Sequence, residues 1–229
     1  MQYKKSSSRK RFQQQIMELF RSIEDAECNL SQQTRLRDMV FQAAIFRASA
    51  ELEILIKIQN ETWLQQAHKN KLAHKIPDPL VGYIAAEAFS TSFRKHAFSG
   101  NELELCNNIV KTHKARPILS RPSEINFPFA VSIIHKDVAY PSAKNIDRLL
   151  KRIGVSGGIN QISARLRVDA ETLVEKIQSA RTALAHSFAG QMTFIDVRDI
   201  LWSTLKLGRA LDQIMFDNVA KHVDVSCWN

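Results

Sequence analysis

Cysteine is scarce in this chain, and no apolar run is long. Cys28, Cys106 and Cys227 are its three cysteines, widely spaced and without a Cys-x2-Cys pair. A disulfide framework is therefore not expected, and a reducing cytoplasm is the simple inference. No uninterrupted apolar stretch approaches ~18 residues, so neither a transmembrane helix nor a membrane partner is expected. The opening residues, MQYKKSSSRKRF, hold a basic cluster with no apolar segment behind it, which argues against a secretory signal. Also missing are a GxxxxGK[ST] loop, a GxGxxG fingerprint and a paired acidic metal motif. The one GxSxG match, GVSGG at 154–158, reads as a flexible turn after a helix and not as the strand-to-helix turn of a nucleophile elbow. Without them no cofactor is expected, nor a nucleotidyl-transferring enzyme of those classes. His68, His74, His96, His113 and His135 are scattered, with no HExxH spacing and no cysteine at zinc-ligand intervals, so a metal site is not expected either.

Basic residues, by contrast, are in excess. The formal net charge is +9 and the isoelectric point is near 9.6. That balance favours a polyanionic partner, of which RNA or DNA is the usual one. Lys4, Lys5, Arg9, Lys10 and Arg11 are the only charges before Phe12. Residues 1–11 thus read as a basic arm, either solvated and frayed or contacting phosphate.

Helical periodicity dominates the rest of the chain. Phe12, Ile16, Leu19, Phe20, Ile23 and Leu30 mark an amphipathic helix from about residue 9 to 30. A second, long helix is expected from Ser31 to Ala67, with Leu36, Val40, Ala43, Ala50, Ile54 and Ile58 on its apolar face. Two adjacent amphipathic helices need others to cover their stripes, which predicts an all-α, up-and-down bundle. Residues 12–229 read as a single domain, with 76–140 as an inserted, partly irregular segment. Within it, helices are expected from Pro79 to Ala97 and over NELELCNNIVKTHK. ARPILSRPSEINFPF reads as irregular, and AVSIIH, Ala130–His135, is the one stretch with strand-like composition. Order returns with a helix capped by Ser142, a short one over INQISARLR, and a long final helix from a capping-box pattern at Thr193 and Asp196.

Before that final helix lies DAETLVEKIQSARTALAHSF, residues 169–188. Leu173, Ile177, Ala180 and Leu184 give it an apolar stripe, Asp169 an N-cap and Gly190 a stop. Within it, Arg181 and His186 are separated by four residues. Arg-x4-His is a short pattern that any solvated helix end can carry by chance. In the second helix, Glu51 and Glu53 sit among small and apolar residues. Glu51 is a candidate orienting acid for an arginine or histidine of another helix, although such carboxylates more often face water.

Three blocks together resemble the HEPN superfamily: SIEDAECNLSQQTRLRDMVFQAAIFRASAELEILIK, PSAKNIDRLLKRIGVSGGINQ, and ARTALAHSFAGQMTFIDVRDILWSTLKLGRALDQIM. The likeness is one of pattern and order, covers the two ends of the chain and leaves out the middle. It implies a HEPN-like helical bundle and a metal-independent endoribonuclease with Arg181 and His186 as its catalytic pair. It implies RNA cleavage by the 2′-hydroxyl, giving a 2′,3′-cyclic phosphate, in a toxin or antiviral-defence effector held in check by an antitoxin or other regulatory protein. The residue types suit that chemistry: histidine can accept or donate a proton near neutrality, and arginine offers phosphoryl oxygens a permanent cationic fork. Five residues along a helix mean about 7.5 Å of rise and ~140° of rotation, so the two side chains do not stand side by side. A two-fold homodimer, which the resemblance also implies, would bring two copies of the motif to one cleft. Thr182 stands where the family often has asparagine, and Ser187 where glycine is common. Both remain candidates for supporting contacts to phosphate, and a non-catalytic module binding RNA or protein is the alternative.

Overall fold

A computed structural model describes residues 2–115, 127–138, 141–185 and 192–229, and every regular element among them is helical. Helix α1, Ser7–Asn29, starts where the Ser6 hydroxyl accepts the Arg9 backbone N–H at 3.0 Å. Phe12, Ile16, Phe20 and Ile23 recur on one face and are buried against α2, Thr34–Lys69, and α9, Phe194–His222. These three long helices enclose most of the core. The capping box at Thr193 and Asp196 forms as the sequence suggests, and Val197, Leu201, Leu205, Leu211 and Met215 all point inward from α9.

The buried face of α2 differs from the expected one. Phe41, Ile45, Leu52, Leu55 and Trp63 are inside, whereas Leu36, Ala43 and Ala50 face out and Ile54 and Ile58 are half-buried. Apolar and small residues run nearly all round this helix, so periodicity alone selects no stripe. Tertiary packing decides it: α2 meets both α1 and α9, with Phe41 and Trp63 buried while Phe46 stays exposed.

Where α1 crosses α9 the side chain of residue 208 has no room. A Cβ on Gly208 would lie 3.0 Å from Cζ of Phe12 and closer still to Cε1. Phe12 is buried and its ring cannot swing away. Gly208→Ala is therefore expected to cost about 1–3 kcal/mol through overpacking, read as a lower urea midpoint with unchanged slope. A midpoint equal to wild type would show that the crossing can relax.

Among the described residues, the middle segment adds three α-helices. Pro79 lies in the first turn of α3, Asp78–Ser99, and Gly100 ends it in the left-handed conformation at φ +63°. Helix α4, Glu102–Ala115, packs on α3 and leaves Leu103 and Val110 exposed. In the strand-like AVSIIH, residues 130–134 are helical instead, within α5, Phe127–Ile134, and His135 lies in the turn that follows. One isolated strand would leave its backbone groups unpaired, and a helix satisfies them internally. Arg152 closes the end of α5, with Nη1 donating to the carbonyls of Ile134 at 2.7 Å and Lys136 at 2.6 Å. Its guanidinium also lies 4.3 Å from the centre of the Tyr83 ring. The irregular segment expected at ARPILSRPSEINFPF falls largely outside the described residues.

Helices α6, Ala143–Arg152, and α7, Gly158–Leu166, lead into α8, Ala170–Ala185. Ser142 caps α6, its hydroxyl accepting the Asn145 N–H at 3.1 Å. Asp169 caps α8, accepting the N–H of Thr172 at 3.1 Å, and Val174, Ile177 and Leu184 are buried. The expected continuation of α8 through His186 and Ser187 to Phe188 lies outside the described residues, as does Gly190.

Candidate functional site

Arg181 is half-buried on α8, which packs against α2, and lies within electrostatic reach of Glu53. Burial raises the Glu53 carboxyl above its usual range and the Arg181 charge pulls it back. Oε1 of Glu53 is buried without a hydrogen-bond partner among the described residues. Thr182, next in the chain, is exposed. His186 and Ser187, the other two motif positions, lie outside the described residues.

The acid nearest in influence to Arg181 is thus Glu53 and not Glu51. Glu51 is 1% exposed, on the opposite side of α2, where Arg47 meets it at 2.8 Å and Arg11 at 3.5 Å. A solvated Glu51 is ruled out: its carboxylate is buried because two arginines accompany it there. Residues two apart on a helix differ by ~200°, so only one of the pair can face α8. That angle shows that the two acids cannot share a role, and the packing of α8 on α2 selects Glu53.

Beside Glu53 opens a cavity of about 190 Å³, lined by Ile56, Lys57, His135, Asn145 and Ile146. His135 is held neutral. Burial first, then the charges of Lys57 and Arg152, lower its pKa to about 4. Its Nε2 is buried without a hydrogen-bond partner among the described residues. A base whose folded pKa lies below its unfolded value leaves stability intact above the unfolded pKa of 6.5 and lowers it as pH falls towards 4. Glu53, across the cavity, acts oppositely: its raised pKa favours the folded state at low pH and weakens it as pH rises. We expect a net acid-side loss on the order of 1–2 kcal/mol between pH 6.5 and 4, since His135 carries the larger shift. His135→Leu should flatten that part of the profile in urea titrations. A profile unchanged by the substitution would assign the loss to other groups.

The expected basic arm is folded and not free. The Tyr3 and Ser6 hydroxyls and the Gln59 side-chain amide donate to the buried carboxylate of Asp212 on α9, and the Ser6 backbone N–H approaches it at 3.4 Å. Trp228 Nε1 donates to the Lys4 carbonyl at 2.8 Å, and the Ser7 N–H to the Asn229 carbonyl at 3.0 Å. Arg9 is buried, Lys5 half-buried, and Arg11 is engaged with Glu51. Lys4 and Lys10 remain exposed cations. The sequence offers little warning of Asp212, one of four aspartates in this helix; its placement among Leu211, Ile214 and Met215 is the one clue.

Among the described residues no group of three or more His, Cys, Asp or Glu could hold a metal ion, and no helix is long and apolar enough to cross a membrane. Comparison with known proteins finds no family model, no curated protein and no solved structure that matches the chain.

Proposed function

We propose that the chain is a HEPN-like, metal-independent endoribonuclease, acting as a homodimer in the cytoplasm. The observation that carries this reading is the half-buried Arg181 in the field of Glu53, at the start of the Arg-x4-His spacing on a helix of an all-α fold. The excess of basic residues supports RNA as substrate. In the reaction, one His186 takes the proton of a ribose 2′-hydroxyl. The 2′-oxygen then bonds to the adjacent phosphorus, the bond from phosphorus to the 5′-oxygen breaks, and the His186 of a second copy protonates that oxygen. Arg181 balances the charge that builds on the phosphoryl oxygens. An enzyme of this kind harms its own cell unless restrained, which suits a toxin or defence effector with an antitoxin or regulator. Incubating the protein with total RNA in excess EDTA tests it: new fragments should carry 2′,3′-cyclic phosphate and 5′-hydroxyl ends.

A helical module that binds RNA without cutting it is the second reading. Lys144, Arg148 and Lys151 of α6 line an open groove beside Tyr83, distinct from Arg181, where Asp147 pairs with Lys151 and leaves the surface net basic. Such a surface suits backbone phosphates and stacked bases without any chemistry.

A further inference from the structure

A second cleft, of about 420 Å³, opens where the N-terminal segment and the first turns of α1 meet α9. Its size falls in the range of small-molecule sites, roughly 300–1,000 Å³. Lys5, Arg9, Lys206 and Arg209 line it, and no acidic residue does among those described. The cations crowd one another. Burial and then the Arg9 charge lower the Lys5 ammonium below its usual range; the Asp212 charge opposes this, and Lys10 and Arg209 add to it.

Arg9 is the unusual member. Only 4% of it is exposed, its Nη2 donates to the Leu205 carbonyl at 3.4 Å, and Nε and Nη1 have no hydrogen-bond partner among the described residues. Asp212 is near enough to act on Arg9, but its oxygens are occupied by Tyr3, Ser6 and Gln59. A buried guanidinium keeps its charge and requires compensation, since leaving it unpaired is costly. Trp202 also lines the cleft, 45% exposed, with its ring tilted against Phe20 at 5.0 Å between centroids. Four cations with an arginine fork suit a phosphate group, and an exposed indole suits a flat ring attached to it.

We propose that this cleft binds a nucleotide phosphate, with Arg9, Arg209, Lys5 and Lys206 around the phosphate and the base stacked on Trp202. The nucleotide is either free or the 5′-terminal residue of an RNA. The site shares no residue with the Arg181 and His186 motif and does not depend on cleavage.

The chain has three tryptophans, and Trp63 and Trp228 are buried, so a ligand in the cleft should quench Trp202 selectively. The full-length protein is titrated with AMP, with adenosine, and with a 2′-O-methylated, uncleavable hexa-adenylate bearing either a 5′-phosphate or a 5′-hydroxyl. We expect quenching by AMP or by the 5′-phosphorylated oligomer, whichever binds tighter identifying the source. Adenosine and the 5′-hydroxyl oligomer should bind at least about tenfold more weakly. Arg209→Ala, at an exposed position that keeps the fold, should weaken binding about tenfold, and Trp202→Phe should remove the quenching. The proposal is overturned if neither phosphorylated ligand binds at millimolar concentration, if affinity ignores the 5′-phosphate, or if Arg209→Ala binds as wild type does.

Discussion

Asp212→Ala is expected to destabilise the protein by about 3–5 kcal/mol, more than any other single change outside the apolar core. The carboxylate is fully buried and receives the Tyr3, Ser6 and Gln59 side chains at once. Removing it strands three donors, and each buried donor left unsatisfied costs about 1–3 kcal/mol. The loss should appear as a lower urea midpoint. Asp212→Asn, which keeps the shape and one acceptor, should cost less. The same network predicts an alkaline weakness. Burial, then the hydrogen bond to Asp212 and its charge, push the Tyr3 phenol above its ordinary value of 10.0. The folded state therefore holds a proton that the unfolded chain releases, and stability falls as pH rises past that value. Tyr3→Phe should remove this alkaline slope. An Asp212→Ala midpoint within error of wild type would mean that the N-terminal segment is held by its apolar contacts alone.

Much of the fold is legible in the sequence because helix signals are local. The caps at Ser142, Asp169 and Thr193, the stop at Gly100 and the stripes of α1 and α9 need only neighbours in the chain to be read. The features hidden from the sequence depend on tertiary partners. The inward face of α2 is chosen by the space between α1 and α9, which no window of residues 34–69 encodes. Residues 130–134 look like a strand by composition and become helical once Arg152, 18 residues on from Ile134, closes their end. The N-terminal cations look like a tail until Asp212, 209 residues on from Tyr3, gathers Tyr3 and Ser6. At the candidate site, the arginine is legible as a motif member, while its association with Glu53 instead of Glu51 follows only from the packing of α8 on α2.

The other large effect expected is chemical. His186→Ala should lower RNA cleavage by about 10²–10⁴-fold, the usual contribution of a positioned proton-transfer group. Arg181→Ala should lower it by a comparable factor, because uncompensated phosphoryl charge raises the barrier directly. Thr182 is exposed, so Thr182→Asn should leave the fold intact and hold or raise the rate, an amide being the better match to the HEPN pattern. The wild-type rate should fall at low pH as the histidine acting as base becomes protonated, and His186→Ala should lose that acid-side decline.

Metal-independent cleavage by the Arg181 and His186 motif stands or falls on one comparison. Purified wild-type protein and His186→Ala, matched for urea midpoint, are given a defined single-stranded RNA in excess EDTA, and the initial rates of cutting are measured. Wild type should cleave to 2′,3′-cyclic phosphate ends, and the variant should be slower by at least about a hundredfold. Equal rates in the two proteins, or wild-type cleavage only after Mg²⁺ is restored, would contradict this mechanism.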